Sequence, residues 1–469
     1  MGTAGENPRR GPSSSALWFC IGSTPLLMFF VTKREETMKQ SKFLKVLCGA
    51  AAAAMLLSAC SGTAGSSAAT DSTAADTATT DTAAASGTTL TYWSMWNSTE
   101  GQAKVIQEAA DAYEAKTGIK INIEWKGRDV KNLIGAALDA GEQIDFFDQD
   151  YVFISQQCGK YCADLTEMNA ASGLEDHTFP VLLETAKSYT DGVLKVIPYQ
   201  PYTSGVWYNK AMFEAAGIEK VPETFDELLD VCAKLKESGV NPMTCDQGDG
   251  TALLMGFQLG RYIGQDALVE TIDNKSWADV PEVKKAAEDI YSLFSNGYMS
   301  EYAPANYPDG ENELGYEESA MLLQASWVPN EVVQNTGAQI DWGFFPWPAV
   351  EGGVDGTEAA MVGAQGFGIV DKSEHKQEAY DFIMSVVTGE YDLKMAQSVS
   401  SIPADTDNTE WPTAVAGAEP YFKEMTKSYL WAVGLQKNAD YKDYIQEAIN
   451  QLCKMEINPD EFVSQLASM

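Results

Sequence analysis

Leu90-Thr91-Tyr92-Trp93, Ile119-Lys120-Ile121-Asn122-Ile123-Glu124-Trp125 and Ile144-Asp145-Phe146-Phe147 are three apolar runs, and what separates them decides the fold. Ile119, Ile121, Ile123 and Trp125 alternate with polar residues as a half-buried strand does, and the other two runs suit short buried strands. Between the first and second, Val105, Ile106, Ala109, Ala110 and Tyr113 recur at helical spacing, and Gly118 stands where a left-handed C-cap belongs. Between the second and third, Val130, Leu133, Ile134, Ala137 and Leu138 return to the helical period and stop at Gly141. Strand, helix, strand, helix, strand at this pace implies βαβ crossovers and a parallel-type sheet. Further along, Thr224 and Glu227 form a capping box that opens an amphipathic helix through Lys236, with Gly239 closing it. Residues 281–294, 374–388 and 440–454 also read as helices, so the chain is α/β throughout.

Upstream, Met38, Lys39, Lys42 and Lys45 precede an apolar run from Val46 to Leu57, the layout of a secretory signal. Leu56-Leu57-Ser58-Ala59-Cys60 resembles the lipobox of bacterial lipoproteins, in which the cysteine takes a diacylglyceryl group and becomes the new N-terminus. Two acyl chains anchor a protein stably where one is marginal. The other reading, an uncleaved transmembrane helix, needs a longer apolar run. Residues 38–59 are therefore expected to be a signal peptide and Cys60 a lipidation site. Residues 1–37 hold a second apolar stretch, Leu17 to Val31, interrupted by Pro25. Two export signals in a row are redundant, so translation is expected to begin at Met38, with 1–37 an upstream artefact or disordered. Residues 61–88 are almost wholly Ser, Thr, Ala, Gly and Asp and bury too little apolar surface to offset their chain entropy. Residues 60–88 then form a lipidated cysteine and a disordered tether with a reach of about 30 Å.

The stretch from Thr89 onward, about 380 residues, is long for one core and suggests two domains. It is also strongly acidic. The first 60 residues carry seven Lys/Arg and three Asp/Glu against 32 and 67 in the whole chain, which leaves the remainder near −39. Such a charge excludes nucleic acid, which needs a dense basic footprint. A neutral or cationic small molecule is the comfortable partner. Five cysteines follow Cys60, an odd number, and Cys158 and Cys162 are read either as a bridge or as free thiols. The only histidines are His177 and His375, both read as surface residues, which leaves a His/Cys zinc site and a Ser-His-Asp triad poorly supplied. No metal, cofactor or catalytic residue is expected.

Tyr199-Gln200-Pro201-Tyr202 leading into Val206-Trp207-Tyr208-Asn209-Lys210 resembles a block of the extracellular solute-binding proteins of carbohydrate ABC importers, the maltose-binding-protein-like family. Four more blocks fit in order. Trp93-Ser94-Met95-Trp96 is similar to the opening strand. Ala140 to Asp145 is similar to a turn in which Gln143-Ile144 replaces the usual small residue and proline. Ser319-Ala320-Met321 through Trp327 is similar to a segment where Ala325 stands at the usual glycine. Asp341-Trp342-Gly343 through Pro346-Trp347-Pro348 is similar to the hinge region. The likeness runs from residue 89 to about 460.

The resemblance implies a two-lobed periplasmic-binding-protein-like (type II) fold, each lobe a mixed sheet flanked by helices, joined by hinge crossings with ligand in the cleft. The crossings are expected near Ile197–Tyr202, Trp347–Val350 and Gly389–Asp392. Lobe 1 is then 89–198 plus 350–390, and lobe 2 is 199–349 plus 391–469. It further implies a monomer on the extracytoplasmic face of the cell membrane, lipid-anchored, that passes a neutral carbohydrate to the transmembrane subunits of an ABC permease and performs no chemistry.

A sugar site needs flat aromatic surfaces for C–H faces and polar groups for hydroxyls. Loops at strand ends facing the cleft supply the candidates. Trp96 follows the first strand, and Asn97 and Glu100 lie on the loop after it, where plain N-capping is the alternative. Asp150 follows the strand ending at Phe147. Tyr199 and Tyr202 sit on the presumed hinge. Asp246 lies in a loop where a turn role is equally available. Trp327 is expected to open a helix beside the cleft as a stacking platform. Trp347 neighbours the second crossing, where a wedge between lobes is the alternative. Gln365 stands among Gly363, Gly366 and Gly368, which allow close backbone approach to a ligand or serve tight turns. Trp431 is read as core or cleft. Two rival functions stay open: a polyol, amine or peptide as the solute, and a surface glycosidase using Asp148 and Asp150 as acid and base.

Overall fold

The computed structural model describes residues 87–469; residues 1–37, the signal peptide, Cys60 and nearly all of the tether lie outside the described residues. The strands are β1 (Thr89–Ser94), β2 (Lys120–Trp125), β3 (Phe146–Asp150), β4 (Ile197–Asn209), β5 (Asn241–Met243), β6 (Ser319–Ala325), β7 (Trp342–Phe345), β8 (Ala359–Ala360), β9 (Val362–Ile369) and β10 (Lys427–Ser428). The helices that position the site or the core are α1 (Gly101–Thr117), α2 (Val130–Ala140), α3 (Phe225–Glu237), α4 (Asp249–Asn274), α5 (Pro281–Ser295), α6 (Asp309–Gly315), α7 (Val328–Thr336), α8 (Lys376–Val387), α9 (Gly389–Val399) and α10 (Lys442–Cys453).

The opening βαβαβ unit forms as its periodicity dictates. β1 pairs in parallel with β2 on one side and β3 on the other. α1 ends at Gly118, whose φ of 76° is the left-handed cap, and α2 ends the same way at Gly141 with φ 80°. The capping box of Thr224 and Glu227 is present at the start of α3. Leu90, Tyr92, Phe146 and Phe147 are buried, and Tyr92 stacks on Phe146 at 4.5 Å between ring centres.

Beyond this unit the sheet is mixed, not parallel. β9 inserts antiparallel between β3 and β4. The strand order is β2-β1-β3-β9-β4-β6-β5, with β7 also on β4. β4 is the joint. Its first half, Ile197 to Thr203, pairs with β9, and its second half, Ser204 to Asn209, pairs with β6 and β7. One 13-residue strand thus belongs to two sheets, with a bulge between Tyr199 and Pro201 in its first half. Gln200 at that bulge has φ +45°, a left-handed conformation costly for a residue with a Cβ.

α9 packs on α1, with Lys394 paired to Glu108 and Val399 closed against Gly101. The carboxylate of Asp392 pins the segment after α9, accepting the backbone N–H groups of Ala404 at 2.8 Å and Asp405 at 3.0 Å. Cys158, Cys162, Cys232, Cys245 and Cys453 are all free and buried, so the bridge considered for the first two is not formed. Burial raises the thiol of each well above its ordinary range, which makes them packing residues.

Candidate functional site

A cavity of about 550 Å³ opens where the two sheet halves meet. The first half contributes Trp96, the N-terminus of α1 from Glu100 to Gln102, Arg128, Gln365 and the end of α9 with Ser400 and Ser401. The floor is Gln200, Pro201 and Tyr202 of β4, on the bulge side where the backbone is strained. The second half contributes Ser326 and Trp327 and one face of α7. A smaller chamber of about 210 Å³, lined by Asp246, Asp249, Tyr307, Gln324, Trp327, Glu331 and Trp431, shares Trp327 and Glu331 with it. A further cavity of about 360 Å³ between the end of α2 and Val370–His375 lies within the first half and is bordered by none of these residues.

Trp327 is the hub. It occupies the N-cap position of α7, half-buried, with its ring parallel to that of Trp431 (8° between planes, 6.1 Å between centres). Its other neighbour, Tyr202, meets it edge-on at 5.7 Å, and the Tyr202 hydroxyl donates to Asp150 at 3.2 Å. Three aromatic rings are thus held in fixed orientation on or beside the shared wall, the apolar surface that a sugar's C–H face requires.

The polar groups divide by partner. Glu100 accepts from Arg128 at 3.1 Å, and the guanidinium of Arg128 lies 4.5 Å from the centre of the Trp96 ring. Gln365 lines the cavity with its Oε1 buried and without a hydrogen-bond partner. An unpaired buried acceptor costs about 1–3 kcal/mol, so a ligand hydroxyl that donates to it gains correspondingly. Asp246 accepts from the Gly310 N–H at 2.9 Å through Oδ1, while its Oδ2 is buried and unpartnered. Burial pushes the Asp246 carboxyl up to about 6.

Several candidates sit elsewhere than the sequence reading placed them. Trp347 is completely buried; its indole N–H is given to Gln258 at 2.8 Å and its carbonyl accepts from Arg261. It is a core residue, because the Arg261 side chain and α4 enclose it. Tyr199 is likewise interior: it donates to Asp148 at 2.5 Å and accepts from Trp96 Nε1 at 2.7 Å. Trp96 borders the cavity, but Arg128 covers its ring and only 5% of it is exposed, so it is a covered wall and not an open platform. Asn97 points outward and is tied to Glu100 at 3.1 Å. Asp150 caps the turn after β3, accepting from Val152 and Phe153, and reaches the cavity only through Tyr202. Asp148, the other half of the acid pair weighed for glycoside hydrolysis, is buried and accepts from the Met95 N–H and Tyr199. Burial raises both carboxyls, Asp148 to about 6. Neither lines the cavity.

The glycines around Gln365 do allow close approach, but of protein side chains. A Cβ on Gly363 falls 2.2 Å from the Tyr202 ring, and one on Gly366 falls 2.4 Å from Val196. Gly363→Ala should therefore displace Tyr202 and destabilise the protein by about 1–3 kcal/mol. Urea unfolding of the variant measures this, and an unchanged midpoint would show that the ring yields freely.

Gln102, Arg128, Gln200, Ser326, Asn330, Glu331, Gln334, Ser400 and Ser401 line the cavity without having been singled out in the sequence. One signal was available. Trp327, Asn330, Glu331 and Gln334 stand at i, i+3, i+4 and i+7, one face of a helix that begins at a cleft tryptophan.

Two α/β halves joined by crossing strands, with an aromatic and polar cavity at the joint, define a two-lobed binding protein of the type II periplasmic class. Residues 96–388 match the family described as bacterial extracellular solute-binding protein, and the chain belongs to that family. Relatives include the lactose-binding protein of Rhizobium radiobacter, 22% identical over 62% of this chain and 68% of its own length. The multiple sugar-binding protein of Streptococcus mutans is 23% identical over 53% of this chain and 59% of its own. Among solved structures, RafE of Streptococcus pneumoniae superposes with a TM-score of 0.65 at 17% identity, covering 82% of this chain and 97% of that one.

Proposed function

We propose that this protein is a membrane-anchored extracellular solute-binding protein that captures a sugar or oligosaccharide by two-lobe closure and delivers it to the transmembrane subunits of an ABC importer. The observation that carries the reading is the cavity at the joint between sheet halves, with a smaller chamber beside it in the second half and Trp327 on the wall common to both. Rings for C–H faces and amide or carboxylate groups for hydroxyls are the two things a saccharide needs; Tyr202, Trp327 and Trp431 supply the first and polar side chains of both lobes the second. Ligand that touches both favours the closed form by its differential affinity, which is hinge closure. Relatives whose names state sugar binding support the same class of solute.

Lobe 1 is residues 89–198 plus 350 to about 399, and lobe 2 is 199–349 plus the remainder. The extension of lobe 1 past 390 rests on the packing of α9 on α1. Cys60 carries the lipid, and the tether up to residue 88 holds the monomeric body off the membrane on its outer face. A thermal-shift screen of mono- and oligosaccharides tests the ligand class. At 100 times Kd a true ligand adds about 2.7 kcal/mol of stability. At least one sugar is expected to raise the melting temperature and then bind saturably in calorimetry without turnover. A panel in which polyols, peptides or amines lacking a sugar ring raise it, and no saccharide does, overturns the reading.

A further inference from the structure

The two chambers differ in charge balance. In the larger one Glu100 is paired with Arg128, which leaves Glu331, shared with the smaller one, as the one carboxylate of its lining without a cationic partner. The smaller one is lined by three carboxylates, Asp246, Asp249 and Glu331, and by no lysine, arginine or histidine. Behind it stands Glu311, wholly enclosed, its carboxyl against that of Glu331 and accepting from no N–H or hydroxyl. Asp246 is only 3% exposed and lines the chamber with its Oδ2 unpartnered. The remaining walls are rings. Trp327 and Trp431 lie parallel, Trp431 donates its indole N–H to Asp249 at 3.3 Å, and the Tyr307 hydroxyl is 3.5 Å from Glu331.

Aromatic faces and carboxylates both attract cations, and together around a small volume they form the surroundings an organic ammonium prefers. A neutral ring placed here leaves Asp246, Asp249 and Glu331 facing one small volume with no lysine, arginine or histidine among them. Burial, with repulsion from Glu331 and Asp246 added to it, already holds Glu311 up to about 8. Burial raises Glu331 as well. A bare divalent cation is the weaker match, because it needs several oxygens converging on one point. Among the described residues, the three acidic or histidine side chains close enough to share an ion are His177, Asp405 and Asp407, none of which lines this chamber. The volume of about 210 Å³ is below the ~300 Å³ at which drug-sized pockets begin, so it admits one ring or one ring end.

We infer that the smaller chamber receives a protonated amine carried on the saccharide, so that the ligand is an amino sugar or an oligosaccharide terminating in one. This rests on the sugar-binding reading above and narrows it. The larger chamber then holds neutral rings of the same ligand, and Trp327 and Glu331 touch both parts.

Calorimetry of the full chain at pH 7.0 and 150 mM salt tests it. The probes are D-glucosamine, D-galactosamine, D-mannosamine and chitosan oligomers of two to four residues. Each is paired with its N-acetylated form and with its neutral hydroxyl counterpart. At least one free amine is expected to bind ten or more times more tightly than both partners. Asp246→Asn and Glu331→Gln are each expected to reduce that ratio at least threefold; the second sits on the exposed side of the chamber and stands alone if the first fails to fold by circular dichroism. Neutral or N-acetylated sugars binding as tightly as the amines overturn the amine assignment and leave the sugar reading intact. An amine preference that survives in both variants overturns its placement in this chamber. If no sugar of any of the three kinds binds, the sugar reading fails and the amine assignment fails with it.

Discussion

Replacing Trp327 with alanine is expected to raise the Kd of the best saccharide at least 30-fold. The side chain stands on the wall shared by both chambers, so its loss removes contacts from each. Withdrawing a large apolar side chain from contact costs about 1.5–3 kcal/mol, and ordered aromatic geometry adds about 0.5–1.5. Two kcal/mol is already about 30-fold in affinity. The fold has little reason to suffer. Trp327 is half-buried in the ligand-free protein, its position is the N-cap of α7, and it gives no side-chain cap hydrogen bond that alanine would forfeit. The melting temperature of the unliganded variant should stay within about 3 °C of the parent. Affinity by calorimetry and melting by calorimetric scan separate the two effects. A Kd within threefold of the parent removes the residue from the site, and a large fall in melting temperature makes it a packing residue.

The first third of the fold was legible because its signals are local. The alternation of Ile119, Ile121 and Ile123, the helical spacing from Val105 to Tyr113 and the glycines at 118 and 141 each specify their element without reference to anything distant. β9 is the opposite case. Its place between β3 and β4 depends on pairing Phe147 with Gly368 and Ile197 with Phe367, contacts more than 150 residues apart in the chain. Nothing in the strand's own residues states that partner or the antiparallel sense. The site divides in the same way. Tyr199 and Tyr202 stand three residues apart, on opposite faces of a regular strand, but the bulge at Gln200 shifts the register and puts them on one face, opposite Gln365 and Gly363. They differ in cover: Trp96 and Asp148 close over Tyr199, whereas Tyr202 reaches the cavity floor. Trp327 and Trp347 are both tryptophans close to prolines. What separates them is Arg261 and Gln258, which reach Trp347 from α4 and close over it. The N-terminal face of α7 was readable from helical spacing alone, and Glu331 with it.

Acidifying the ligand-free protein from pH 8 to pH 5 is expected to raise its melting temperature, by at least about 3 °C. The buried carboxyls set the sign. Burial holds Asp148, Asp246 and Asp392 at about 6 and, with Glu331 and Asp246 nearby, Glu311 at about 8. In the unfolded chain the same groups titrate near 4. Between about pH 4 and pH 8 the native state therefore binds more protons than the unfolded state. Stability falls as pH rises through that window and levels off above it. The net charge of −35 acts in the same direction, because self-repulsion grows as carboxyls ionise. Asp148 and Asp392 recover part of their cost through hydrogen bonds from Tyr199, Met95, Ala404 and Asp405. Glu311 accepts from no N–H or hydroxyl, and its partner is the Glu331 carboxyl, which it can serve only in the protonated form. Glu311→Gln should then raise the melting temperature at pH 8, change it little at pH 5, and flatten the slope between them. The parent and variant scanned side by side at pH 5, 6, 7 and 8 decide the matter. Parallel curves exclude Glu311 as the source, and a melting temperature that climbs with pH in the parent rejects the claim that these carboxyls are held protonated by the fold.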